Sequence, residues 1–184
     1  MKLQINCTMQ QNMGTRMNSI LSNVDNLLNS SYKATSNDEL KEVQADMRLP
    51  IEKCGCRHLL YSFDKGDNNS LLPFFAPQQG VKSMCDYVMF CGCDNKFYIL
   101  LLELKTGKEP KKPQLLAGKC LVNYIIDTYN RIYKTNIAPE IRLIGVSERF
   151  FIKKGTTRTK AVVYDSDGYV NFEGKSFCIR EFLK

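Results

Sequence analysis

Between Asn18 and Asn29 the apolar residues Ile20, Leu21, Val24, Leu27 and Leu28 recur at the three-to-four-residue interval of a helix with one buried stripe. Residues 1–17 ahead of it are polar and rich in Met and Gln, a loosely held lead-in. A Ser/Asn-rich break covers Asn29 to Asn37. Ser36 followed by Glu39 has the spacing of a capping box, and Leu40, Val43 and Met47 then predict a second helix that Pro50 stops. From His58 to Phe63 the pattern predicts a short strand, and a turn-rich loop follows from Asp64 through Pro73, Pro77 and Gly80.

Two further strands, Cys85–Phe90 and Lys96–Lys105, flank a Cys-Gly-Cys-Asp-Asn turn and predict a hairpin. The second is apolar on both faces, as a central strand covered on both sides should be. After the charged loop Thr106–Lys112, Pro113 opens a helix running to about Lys134, apolar around much of its circumference. Glu140–Ser147 predicts another strand. The tail predicts a hairpin around Asp165–Gly168 and a last strand near Ser176 to Phe182. The expectation is one α/β domain: a central mixed sheet, made of an antiparallel meander plus a further strand, flanked by helices. Residues 1–50 form an N-terminal helical segment packed on a core of residues 51–184, which ends in a short β extension.

With 184 residues the chain can bury one sizeable core. Hydrophobic residues at 43% and charged residues at 24% exclude disorder. No apolar run approaches the roughly 20 residues that span a bilayer. The start, MKLQINCTMQQ, lacks the apolar region of a secretory signal, so no membrane partner and a cytoplasmic location are expected. The net charge of +7 favours phosphate-rich partners without specifying one.

The segment from Asp86 to Gln114 is where chemistry concentrates. Asp86 opens one strand and Glu103-Leu104-Lys105 closes the next, so an antiparallel hairpin brings them to one end of the sheet. Alternation points Glu103 and Lys105 to one face and Leu104 to the other. Two carboxylates beside a lysine suit phosphodiester hydrolysis. Oxygen ligands hold a hard divalent cation, and the lysine positions water or stabilises developing negative charge.

An Asp, then a strand ending in Glu-x-Lys, then a helix opening with Gln, resembles the PD-(D/E)xK nucleases. Glu103-Leu104-Lys105-Thr106-Gly107 with Gln114 is most similar to the RecB/Cas4-type branch. The resemblance implies a restriction-endonuclease-like core over about residues 58–147. It implies Asp86 and Glu103 as ligands of Mg²⁺ or Mn²⁺, with the Leu104 carbonyl as a third. Lys105 becomes the catalytic lysine, and Gln114 contacts the metal-site water or the scissile strand. Cys85 stands where the family usually has Pro, and Gly118 where this branch carries Tyr. The function implied is a nuclease hydrolysing phosphodiester bonds, of DNA rather than RNA, by attack of a metal-activated water. The alternative is a non-cleaving nucleic-acid-binding or assembly module that keeps the fold. Self-association into a homodimer is compatible with either.

Other residues add candidates. His58, the only histidine, and the upstream acids Glu42, Asp46 and Glu52 could extend the metal site. Lys105, Lys108, Lys111, Lys112 and Lys119, with Arg149, Lys153, Lys154, Arg158 and Lys160, could track a sugar-phosphate backbone. The eight cysteines are expected as thiols, metal ligands or buried apolar residues, not disulfides. Cys54 and Cys56 precede one core strand while Cys91 and Cys93 follow the next. The four could therefore hold a structural Zn²⁺ at the end opposite Asp86.

Overall fold

A computed structural model describes residues 17–43, 46–64, 74–76, 78–105, 112–148 and 162–184. These residues form a mixed α/β fold with two mixed sheets and two α-helices. Helix α1 covers residues 17–27. The strands are β1 (Glu39–Glu42), β2 (Met47–Glu52), β3 (Arg57–Tyr61), β4 (Tyr87–Cys93) and β5 (Lys96–Leu104). Helix α2 (Lys112–Tyr133) leads to β6 (Glu140–Glu148), β7 (Tyr169–Gly174), β8 (Phe177–Cys178) and a closing 3₁₀ turn, Ile179–Leu183. Among the described residues no helix is long and apolar enough to cross a membrane.

The larger sheet has the order β3-β4-β5-β6-β7. Strands β3, β4 and β5 form the antiparallel meander, and β6 and β7 add on in parallel. As the sequence pattern requires, β5 is the middle strand: every residue from Phe97 to Leu104 is buried. Each leucine of that run contributes roughly 1.5–3 kcal/mol by leaving water. The β4–β5 connection is shorter than the expected five-residue turn. Cys91 and Cys93 belong to β4, and only Asp94 and Asn95 form the loop. Both take positive φ (49° and 64°), as the twist-matched two-residue hairpin turn demands.

Each face of this sheet has its own cover. On one, α1 (Ile20, Leu21, Val24) and α2 (Leu115, Val122, Ile125, Ile126, Tyr129) pack on Val88, Phe90, Ile99 and Leu101. On the other, Met89, Leu100, Leu102 and Ile144 meet the smaller sheet, β1-β2-β8, and the closing turn. Among the described residues, α-helices therefore flank one face only. Where a second helix was predicted through Leu40, Val43 and Met47, residues 39–52 form the β1–β2 hairpin. Met47, Leu49 and Ile51 are buried while Arg48, Pro50 and Glu52 are exposed. That two-residue alternation outweighs the three-to-four spacing of Leu40, Val43 and Met47, because Val43 is exposed in the turn. A boundary at residue 50 falls inside β2.

The tail also differs from expectation. The turn at Asp165–Gly168 closes through Gly168 N–H to the Asp165 carbonyl, but β7 after it joins β6 in parallel as the sheet edge. The last strand is two residues long, paired with β2 before the chain turns into the 3₁₀ segment.

Candidate active site

The register Tyr87↔Leu102 places Asp86, just ahead of β4, across from Glu103 near the end of β5. Backbone N–H groups brace both carboxylates. The Asp86 N–H donates to Glu103 Oε2 at 3.3 Å, and the Leu104 N–H donates to Asp86 Oδ2 at 2.5 Å. Lys105 Nζ lies 3.2 Å from Glu103 Oε1. Alternation thus delivers the expected triad, with Leu104 turned to the opposite core.

Burial governs the electrostatics. Glu103 is only 2% exposed. Loss of hydration pushes its carboxyl up to about 7, the Asp86 charge adds to the rise, and Lys105 opposes it. Asp86 is pushed up to about 6, again by burial first, against the Leu104 hydrogen bond. Two further carboxylates act on Asp86 in the same direction, those of Glu42 and Asp64. Tyr87 explains how Glu42 comes near. Its hydroxyl accepts from Lys41 N–H (3.2 Å) and donates to the Lys41 carbonyl (2.8 Å), clamping the end of β1 beside the start of β4. Of the three upstream acids only Glu42 exerts such an effect on Asp86. Asp64 was not foreseen, and nothing in its turn-rich surroundings distinguishes it.

Helix α2 caps the same end, because the chain leaves β5 there and must return antiparallel to reach β6. Its first turn holds Pro113, where a missing N–H costs nothing. A Cβ at Gly118 would stand 2.6 Å from Cys85 Sγ. Glycine at 118 and cysteine at 85 are therefore complementary, and the side chain this branch usually carries at 118 would not fit. One turn earlier, on the same face of the helix, the Gln114 Oε1 is buried with no hydrogen-bond partner among the described residues. An orphaned buried acceptor is costly unless a ligand or water completes it.

Other candidates go elsewhere. His58 is 8% exposed and opposite Cys91, at the far end of β3 from Asp86; its Nε2 sits 2.6 Å from the Asn37 carbonyl. Burial lowers its basicity, and it is a lock between β1's approach and β3. Asp46, at φ 47°, helps form the β1–β2 turn, and Glu52 lies at the sulfur-rich end described below. Lys112 pairs with Asp165 (3.2 Å) and Asp167 and lies over Tyr169. Lys119 remains on α2, half-buried. Lys108, Lys111, Arg149, Lys153, Lys154, Arg158 and Lys160 lie outside the described residues, as do Thr106 and Gly107.

The cysteines regroup. Cys56 and Cys93 are joined by a disulfide, contrary to expectation: antiparallel pairing of β3 with β4 brings their Cα atoms to 4.7 Å, a bridgeable separation. Cys91 is buried on its own, its thiol pushed up to about 12 by loss of water. Among the described residues, Cys54, Cys56, Cys91 and Cys93 do not form one cluster. The group of three ligand residues that does converge among the described residues is Glu52, Cys54 and Cys178. No family model, curated protein or solved structure matches the chain.

Proposed function

We propose that the chain is a divalent-metal-dependent nuclease that hydrolyses phosphodiester bonds of DNA, built on a restriction-endonuclease-like core. The observation that carries the reading is the bracing of the Asp86 and Glu103 carboxylates by backbone N–H groups, with Lys105 on Glu103 and, in the first turn of α2, a Gln114 Oε1 without a hydrogen-bond partner among the described residues. The order β3, β4, β5, α2, β6 supports it, since it repeats the strand-strand-strand-helix-strand part of the order the motif implies; the β1–β2 hairpin separates it from α1.

The donor set fits a hard cation. Asp86, Glu103 and the Leu104 carbonyl offer only oxygen, the preference of Mg²⁺ and Mn²⁺. When bound, such an ion polarises the phosphate and makes water a better nucleophile at neutral pH. The chain's residues do the rest. Asp86 and Glu103, raised toward neutrality, both ionise by about pH 8, so the site gains its negative charge where it must attract a cation. Lys105 Nζ, held by Glu103, can stabilise the charge that builds on the attacked phosphate. The Gln114 Oε1 can accept from the attacking water and orient it. The net charge of +7 supports a polyanionic substrate.

Plasmid, linear and single-stranded DNA incubated with Mg²⁺, Mn²⁺ or EDTA tests the reading. Cleavage that needs the metal and disappears in Glu103→Gln is expected. Metal-independent cleavage, or none on any substrate, would overturn it.

A further inference from the structure

At the end of the hairpin opposite Asp86, a second set of ligand atoms comes together. Strands β2 and β8 pair in parallel, and their last residues, Glu52 and Cys178, are direct partners. Adjacent partners project to the same face, and β2 points Glu52 outward. Two residues on, the chain reverses in a tight turn closed by Cys56 N–H to the Lys53 carbonyl at 2.8 Å. The central residues of this turn, Cys54 and Gly55, both have positive φ (48° and 82°). Asn or Asp is the usual occupant of the first such position, so the turn alone does not call for a cysteine. The reversal carries the Cys54 thiol back to Cys178, and the Cys54, Cys178 and Glu52 ligand atoms all lie within 4.8 Å of one another.

The neighbourhood holds this geometry in place. Arg180, two residues after Cys178, donates through Nε to the Cys54 carbonyl and reaches Asp94 in the β4–β5 turn, both at 3.0 Å. The Cys54 and Cys178 thiols hydrogen-bond to each other, with the charges of Glu52 and Glu181 nearby.

From this convergence we infer that Cys54, Cys178 and Glu52 bind a zinc ion, as two thiolates and one carboxylate. Zinc takes sulfur at about 2.3 Å and carboxylate oxygen at about 2.0–2.2 Å, which brings neighbouring ligand atoms to within about 4 Å of each other. The three groups need only side-chain rotation to meet it. Binding releases the thiol protons to solvent and leaves a fourth, solvent-facing position for water. The ion would clip the C-terminal segment, otherwise tied to β2 by only two paired residues, onto the β2–β3 turn. The site stands apart from the nuclease reading: it uses soft ligands at the other end of the sheet, and neither depends on the other.

Full-length protein, reduced with a phosphine and freed of metal, is titrated with Co²⁺ and then Zn²⁺. One Co²⁺ per chain, with a thiolate-to-cobalt charge-transfer absorption displaced by Zn²⁺, is expected. Cys54→Ser and Cys178→Ser should each lose much of that absorption and weaken binding by more than the roughly 10–100-fold that loss of an outer-shell partner costs. Glu52→Gln should weaken binding and leave the absorption in place. Because Cys54 and Glu52 are exposed, their variants should keep the wild-type circular dichroism. Cys56→Ser guards against binding by the reduced disulfide pair and should behave as wild type. No charge-transfer absorption in the wild type, an unchanged one in Cys54→Ser, or its loss in Cys56→Ser would each overturn the assignment.

Discussion

The two ends of the β4–β5 hairpin are built from the same pair of strands and carry opposite chemistry. At the open end, Asp86 and Glu103 are carboxylates held in a dry setting, raised toward neutrality by burial and braced by backbone N–H groups. At the turn end, Cys56–Cys93, Cys54 and Cys178 gather sulfur around Asp94 and Arg180. Seven residues of β4, roughly 24 Å, separate Asp86 from Cys93. The contrast teaches that burial means different things at the two ends. An ionised carboxylate in the core costs stability unless a cation or a reaction makes use of it. A buried disulfide costs nothing of the kind and holds its strands together. The open end is therefore where the proposed function is sited, and the turn end acts as a fastening.

The sharpest way to break the comparison is to neutralise the open end. Glu103→Gln and Lys105→Ala should each lower DNA cleavage by about 10²- to 10³-fold, since each removes a group that acts on the transition state. Glu103→Gln should also make the metal-free protein more stable at pH 8, because it removes a carboxylate that must ionise while buried beside Asp86. A variant that loses stability and keeps full cleavage would reverse the roles assigned to the two ends.

Asp86→Asn keeps an acceptor for the Leu104 N–H and removes the charge. Calorimetry should show Mn²⁺ binding in the wild type and none in this variant. An unaltered isotherm would move the cation elsewhere.

At the turn end the expected effect is on folding. The double variant Cys56→Ala/Cys93→Ala should lose about 2–4 kcal/mol in chemical denaturation, the usual contribution of a disulfide. Cleavage per folded molecule should be unchanged. If it collapses while the fold survives, the two ends are coupled.

The pH dependence of stability should follow from the open end. Asp86 and Glu103 hold their protons in the folded state to about pH 6 and 7, above their ordinary values of 3.8 and 4.5. Their contribution is complete below about pH 4 and is lost as the pH rises through about 6 to 7. The thermal midpoint in EDTA should fall across that window. Glu103→Gln should flatten the fall, and Mn²⁺ at pH 8 should restore what was lost. A midpoint that rises between pH 5 and 8 in EDTA contradicts the raised carboxyls.

The smallest effect is expected at Lys112. Its ammonium group is already occupied by Asp165 and Asp167, so Lys112→Ala should leave DNA affinity nearly unchanged and loosen the turn before β7. A large drop in affinity would return Lys112 to the phosphate track.

Local pattern carried a good part of this protein. The stripe from Ile20 to Leu27, the apolar run of β5, the long helix after Pro113 and the hairpin bringing Asp86 to Glu103 were all legible, because each rests on periodicity within one element or across one tight turn. Three other features were settled only in three dimensions. The segment from Leu40 to Ile51 satisfies helical and strand spacing in part, and it becomes a hairpin because the free face of the five-stranded sheet needs a flat apolar cover. Cys178 meets Cys54 across 124 residues of chain, a contact no spacing rule encodes. The approach of Glu42 to Asp86 depends on Tyr87 clamping β1. In α1, β4, β5 and α2 the sequence alone determined which residues share an element and a face. Tertiary structure decided which faces and strand ends meet, since that choice belongs to the burial of the whole core and not to any one segment.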